Sequence, residues 1–140
     1  MPDHEDPNAG IIAEFRANQG EVVAPYDDPP PMLLIHTIGA RSGKEHVVPM
    51  RGIPEGESFF IFGSAHGSER NPDWYHNLIA HPDVVIELGT KTVQVKAVEV
   101  VGEERDRVFG RQAARFPIFD EYQQRLARTI PVIRLDPSIT

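Results

Sequence analysis

Leu33-Leu34-Ile35-His36-Thr37-Ile38-Gly39-Ala40-Arg41-Ser42-Gly43-Lys44 reads as a strand that runs into a glycine turn. Its first half is apolar with strand character, and it breaks where two glycines enclose an Arg and a Ser. Such a turn suits an anion. Glycines let backbone N–H groups approach a ligand closely, and Arg, Ser and Lys supply further donors. The charge distribution points the same way. Residues 1–30 carry seven acidic groups against Arg16 alone, whereas residues 31–54 set Arg41, Lys44 and Arg51 against Glu45. A basic island in a chain of net charge −7 predicts a phosphorylated ligand at the turn. The competing reading is a polar β-turn whose charges are merely solvated.

Common nucleotide motifs fail on spacing. A P-loop has four residues between its glycines and a Ser or Thr after its Lys. Here Ala40, Arg41 and Ser42 intervene, and Glu45 follows Lys44. No G-x-G-x-x-G occurs, so a dinucleotide fingerprint is also missing.

A length of 140 residues fits one core, and 40% hydrophobic content fits a folded chain. The acidic balance argues against nucleic-acid binding, which needs a broad basic surface. With no cysteine, disulfides, thiolate metal sites and cysteine nucleophiles are excluded. The histidines do not show metal-ligand spacing either. His76 and His81 straddle a helix end, and His36, His46 and His66 are expected on separate strands, so no metal is expected. No apolar run reaches the length of a membrane span. A cytoplasmic protein is expected, with a shallow contact at a membrane surface left open.

Working outward, Ile11, Ile12 and Phe15 sit at helical spacing between Gly10 and Asn18. Ala24 to Pro31 holds four prolines and two aspartates and reads as an extended linker. Residues 1–31 are thus expected as an N-terminal helix and Pro-rich linker, and 32–140 as the main domain. Strands are expected over 32–38, 46–53, 58–64, 84–88, 92–101 and 131–135, with turns at Glu55-Gly56 and Gly89-Thr90. Asn71-Pro72-Asp73 predicts a helix start, with Asn71 as the capping side chain. Further helices are expected from Gly102 to Pro117 and from Phe119 to Arg128. Short strands, tight hairpins and a few helices predict a mainly β fold: a small antiparallel barrel with flanking helices.

Thr37-x-Gly39-x-Arg41-Ser42-Gly43-Lys44, then Pro49, Ser64, Asn71-Pro72-x-Trp74-Tyr75-x-Asn77-Leu78, His81-Pro82, Tyr122 and Arg128-Thr129-Ile130-Pro131 form one ordered series. The series resembles the deazaflavin-dependent nitroreductase family, also described as quinone reductases using reduced coenzyme F-420. It runs from about Glu14 to Pro137.

The resemblance implies a split β-barrel of the flavin-reductase or pyridoxamine-phosphate-oxidase type. It also implies an oxidoreductase that passes a hydride from reduced coenzyme F-420 to a quinone, a nitroaromatic or another electrophilic acceptor, and a homodimer. By position, Ala40, Arg41, Ser42, Gly43 and Lys44 would hold the cofactor's phosphate and acidic tail. Met50 and Arg51 through Ile53, and Ile61, Phe62, Gly63, Ser64 and Ala65, would line the ring. Leu34, Ile35 and His36 would lie nearby, and Phe119 would stand on the substrate side. Ser64 is the leading catalytic candidate, as a donor to ring or substrate. Ala40 departs from the family's usual basic residue, Ala65-His66 from a common Lys-Gly, and Phe119 lacks the hydroxyl of a tyrosine found in some members. Two rivals stand beside this reading: a related barrel enzyme using flavin mononucleotide (FMN), and a non-catalytic carrier of the deazaflavin or of a lipid. Tyr122 and Tyr26 are further candidate proton donors. Arg111, Arg115, Arg125 and Arg128 are expected to form a solvated face with neighbouring acids.

Overall fold

The computed structural model describes residues 9–18 and 32–138, His66 by its backbone alone. The expected linker over 24–31, and with it the boundary at residue 31 and Tyr26, lies outside the described residues. The ordered elements are α1 (Ala9–Ala17), β1 (Met32–Ile38), β2 (Glu45–Arg51), β3 (Ile53–Glu55) and β4 (Ser58–Phe62). A 3₁₀ turn (Ala65–Gly67), α2 (Asp73–Ala80), β5 (Asp83–Leu88), β6 (Lys91–Val100), α3 (Gly102–Arg115), α4 (Ile118–Arg125) and β7 (Val132–Pro137) follow.

The expected strand over 46–53 is two strands, and the break at Gly52 closes the architecture. All pairs in the seven-stranded sheet are antiparallel, in the order β2-β1-β5-β6-β7-β4-β3. The chain therefore leaves one edge at Arg51 and enters the opposite edge at Ile53. Two residues span at most about 7 Å, so the sheet must curl until its edges meet. Gly52 sits in that seam, buried. A Cβ there would come within 2.6 Å of Leu33 Cδ2 and 3.2 Å of Phe59 Cδ1. No room for a side chain exists at the closure. Seven antiparallel strands curled in this way, with helices outside, form a mainly β split barrel.

Alternation along β4 divides the core in two. Ile61 joins Leu33, Ile35, Val84, Ile86, Val95, Ile133 and Leu135 inside, and Leu78 of α2 plugs the same cluster. Phe60 faces the other way, joining Val100, Val108, Phe109, Ala113, Ile130 and Val132 beneath α3. The hairpins turn where expected, with Gly56 at φ 62° and Gly89 at φ 57°. Phe15 of α1 is buried, and Arg16 donates two hydrogen bonds to Glu87 of β5 at 2.7 and 3.2 Å. This bond holds the Glu87 carboxyl below the usual carboxylate range, against its partial burial and with help from His36.

Three local expectations need correction. Asn71 does not cap α2: Pro72 holds that position in an extended conformation, with no side-chain cap bond. The last helix is shorter than 119–128, ending at Arg125. His66 lies in the 3₁₀ turn rather than on a strand. Among the described residues, no helix is long and apolar enough to cross a membrane.

Candidate functional site

The turn between β1 and β2 is closed from within. Gly39 N–H donates to Lys44 O at 2.8 Å, and Gly43 N–H donates to Gly39 O at 2.9 Å, with Gly43 at φ 71°. Ser42 folds back so that its Oγ accepts from Lys44 N–H at 3.1 Å. A Cβ on Gly39 would run into that hydroxyl, so the turn requires glycine there. Helix α2 fixes the turn from the other side: Asn77 Oδ1 accepts from Ala40 N–H at 2.9 Å. Because this contact uses the backbone of Ala40, it needs no side chain at that position.

Between the turn, β2 and α2 lies a groove of about 950 Å³. Ala40, Arg41 and Ser42 form one wall and His46, Val47 and Val48 the floor. Arg70, Trp74, His76 and Asn77 form the far wall. Asp73 lines the same groove. Among the described residues, Arg41, Lys44 and Arg70 belong to no ion pair, although Arg16, Arg105, Arg111 and Arg134 all do. The unpaired guanidinium groups of Arg41 and Arg70 beside apolar Trp74, Val47 and Val48 can take an anion joined to a flat apolar body.

The remaining expected site residues fall elsewhere. Gly43 and Lys44 complete the turn. Leu34, Ile35 and Ile61 are fully buried, and Met50 packs against the inner core. Arg51 ends β2, half-buried beside Gly52. His36 points to the α1 side of the sheet, 2.6 Å from Glu87 and 3.3 Å from Glu45. Phe62 and Phe119 stack edge to face with ring centroids 5.8 Å apart, in a cluster with Phe109 and Tyr122. Gly63 and Ser64 present their carbonyls to Arg128, and Ala65 takes a left-handed φ of 48°.

Arg128 is no member of a solvated face. It donates to Gly63 O, Ser64 O and Asn71 Oδ1, and twice to Ser68 O, at 2.7 to 3.1 Å. Desolvation lowers its pKa from the ordinary arginine value. The loop that it gathers leads directly into Arg70 and Asn71 of the groove. Sequence reading missed this wall: Arg70 and Asn77 belong to it, and Trp74, expected as a core anchor, both lines the groove and packs on the inner core. The Asn71-Pro72-x-Trp74-Tyr75-x-Asn77 spacing was the available signal, because positions 74 and 77 share a helix face.

A split barrel with unpaired arginines along one groove suits an anionic ligand. Residues 11–137 match the family model described as F420H(2)-dependent quinone reductase. The chain belongs to that family: it is an oxidoreductase, and its cofactor is coenzyme F-420. The F420H(2)-dependent quinone reductase Rv1261c of Mycobacterium tuberculosis is 34% identical over 131 residues, covering 88% of this chain and 85% of its own length. A solved F420-H2 dependent reductase, FDR-A, superimposes with a TM-score of 0.67 at 34% identity, over 76% of this chain and 94% of its own. A solved domain-swapped dimer reaches 0.70 at 30% identity, over 91% of this chain and 96% of its own. The barrel is also shared with a pyridoxamine 5'-phosphate oxidase-like protein of Listeria innocua, with a TM-score of 0.56 at 12% identity.

Proposed function

We propose that the groove between the 39–44 turn and α2 receives the phosphate and acidic tail of reduced coenzyme F-420, and that the hydride acceptor is a quinone. The observation that carries the reading is the pair of arginines, Arg41 and Arg70, that line one groove from facing walls and join no ion pair among the described residues. Bound coenzyme supplies the hydride. This chain's part is to hold the anionic end by charge-assisted hydrogen bonds from Arg41, Ser42 and Lys44, and to offer Trp74, Val47 and Val48 as water-excluding apolar surface. Leu34, Ile35 and Ile61 stay outside the proposed contact set because they have no exposed surface. The family description favours quinones. A homodimer is proposed from the domain-swapped dimer that this chain resembles.

The test mixes the protein with reduced coenzyme F-420 and panels of quinones and nitroaromatics, following the oxidised coenzyme by absorbance. Quinones are expected to turn over at least about tenfold faster, a barrier difference near 1.4 kcal/mol. Equal or faster nitroaromatic turnover contradicts the acceptor assignment.

A further inference from the structure

Gln112 of α3 is 8% exposed, yet its side-chain amide has no partner among the described residues. Neither amide atom is sealed off, so the group opens into the cleft that Gln112 lines between α3 and the β3–β4 hairpin. A buried amide that bonds nothing costs stability, and an apolar side chain of similar size would pack there more favourably. The cleft holds about 220 Å³. That is below the range of drug-sized ligand sites, and it takes one substituted ring rather than a deazaflavin coenzyme. Phe60, Phe62 and Val108 give it apolar walls. Arg115, one turn beyond Gln112 on the same helix face, lines it from an exposed position. Its guanidinium lies 5.7 Å from the Phe116 ring and joins no ion pair among the described residues. Glu55 also lines the cleft, but Arg111 Nη2 donates to its Oε1 at 2.8 Å, so that carboxylate is occupied.

We propose that this cleft is a second ligand site, apart from the coenzyme groove, and that it takes a single-ring hydroxyaryl carboxylate. The ring lies against Phe60, Phe62 and Val108. Its hydroxyl pairs with the Gln112 amide, since both groups donate and accept. Its carboxylate, at the outer end, accepts from Arg115 in a charge-assisted hydrogen bond. The two polar side chains thus read opposite ends of the ligand, one from the buried end of the cleft and one from the surface. Binding here does not depend on which molecule fills the groove beside α2.

The probe is para-hydroxybenzoate, titrated into isotope-labelled wild-type protein while the Gln112 side-chain amide resonance is followed by NMR. Gln112→Leu identifies that resonance by its disappearance and serves as the first variant, with Arg115→Gln as the second. A saturable shift is expected, with a Kd of about 1 mM or tighter. Gln112→Leu is expected to bind the probe at least about tenfold more weakly, and Arg115→Gln at least about fivefold more weakly. Because its amide bonds nothing in the protein, Gln112→Leu is expected to melt no lower than wild type. Benzoate, which lacks the hydroxyl, is expected to bind wild type and Gln112→Leu within about twofold of each other. Saturating coenzyme F-420 is expected to leave probe affinity unchanged. The inference is overturned if the Gln112 resonance does not move by about 10 mM probe, or if either variant binds within about twofold of wild type. Displacement of the probe by the coenzyme, or a lower melting temperature for Gln112→Leu, overturns it equally: the first puts the probe in the coenzyme groove, and the second makes the amide part of the packing.

Discussion

Arg41 lines the groove, Arg128 gathers the loop that leads into its far wall, and the two differ in how their donors are used. A guanidinium carries five N–H groups. Arg128 places all of them on protein acceptors, drawn from Gly63, Ser64, Ser68 and Asn71. Arg41 places none on protein among the described residues and stands exposed on its turn. A saturated arginine holds the chain together, and an unsaturated one is available to a ligand. Counting spent donors therefore separates these two arginines where charge alone does not.

The largest expected effect tests the scaffold half. Arg128→Met strips four acceptors of their donor, those on Gly63, Ser64 and Asn71 partly buried, and should lower unfolding stability by about 2–4 kcal/mol. Arg41→Met should leave stability within about 0.5 kcal/mol. Chemical denaturation of both variants checks the pair, and equal losses would break the distinction.

A smaller effect is expected in α2, the helix that supplies the far wall. Tyr75 donates its hydroxyl to both carboxylate oxygens of Glu99 at 2.9 and 3.0 Å, and burial followed by that carboxylate pushes its pKa from 10.0 up to about 12. A raised value means that the folded state prefers the protonated phenol. The stabilisation is full below pH 10 and is lost as pH climbs towards 12. Tyr75→Phe should cost about 1 kcal/mol at neutral pH and flatten the decline between those limits. Denaturation midpoints measured from pH 8 to 12 read both. Unchanged alkaline sensitivity in the variant would assign the decline to other groups.

The smallest effect lies in the loop that Arg128 gathers. Ala65 holds a left-handed φ of 48°, which costs an L-residue about 1–2 kcal/mol, whereas Gly pays about 0.5–1 kcal/mol in chain entropy. Ala65→Gly should thus stabilise the fold by about 0.5 kcal/mol, read as a small rise in melting temperature. A fall would mean that the Ala65 methyl makes contacts outweighing the strain.

Much of the barrel was legible because its strands carry their own pattern. The run Ser58–Phe62 is apolar on both faces, which is what a strand between two core clusters requires. The division at Gly52 was not legible, since the apolar run continues across it and only closure of the sheet puts its halves on opposite edges. At the site, one wall could be read directly from Gly39 to Lys44, a contiguous stretch. The other wall arises from Arg70, Trp74 and Asn77, and from an arginine 57 to 65 residues away in sequence from the acceptors it binds. Long-range hydrogen bonds to backbone carbonyls leave no residue-type signature, so Arg128 looked like any other surface charge.

Reversing the charge of the turn is the most direct measurement. Arg41→Glu with Lys44→Glu leaves Gly39, Ser42, Gly43 and the barrel untouched, so melting should stay near wild type while coenzyme F-420 affinity, read by titration, falls by at least about a hundredfold. A doubly reversed protein that still binds the coenzyme within about threefold of wild type would contradict the account at its root.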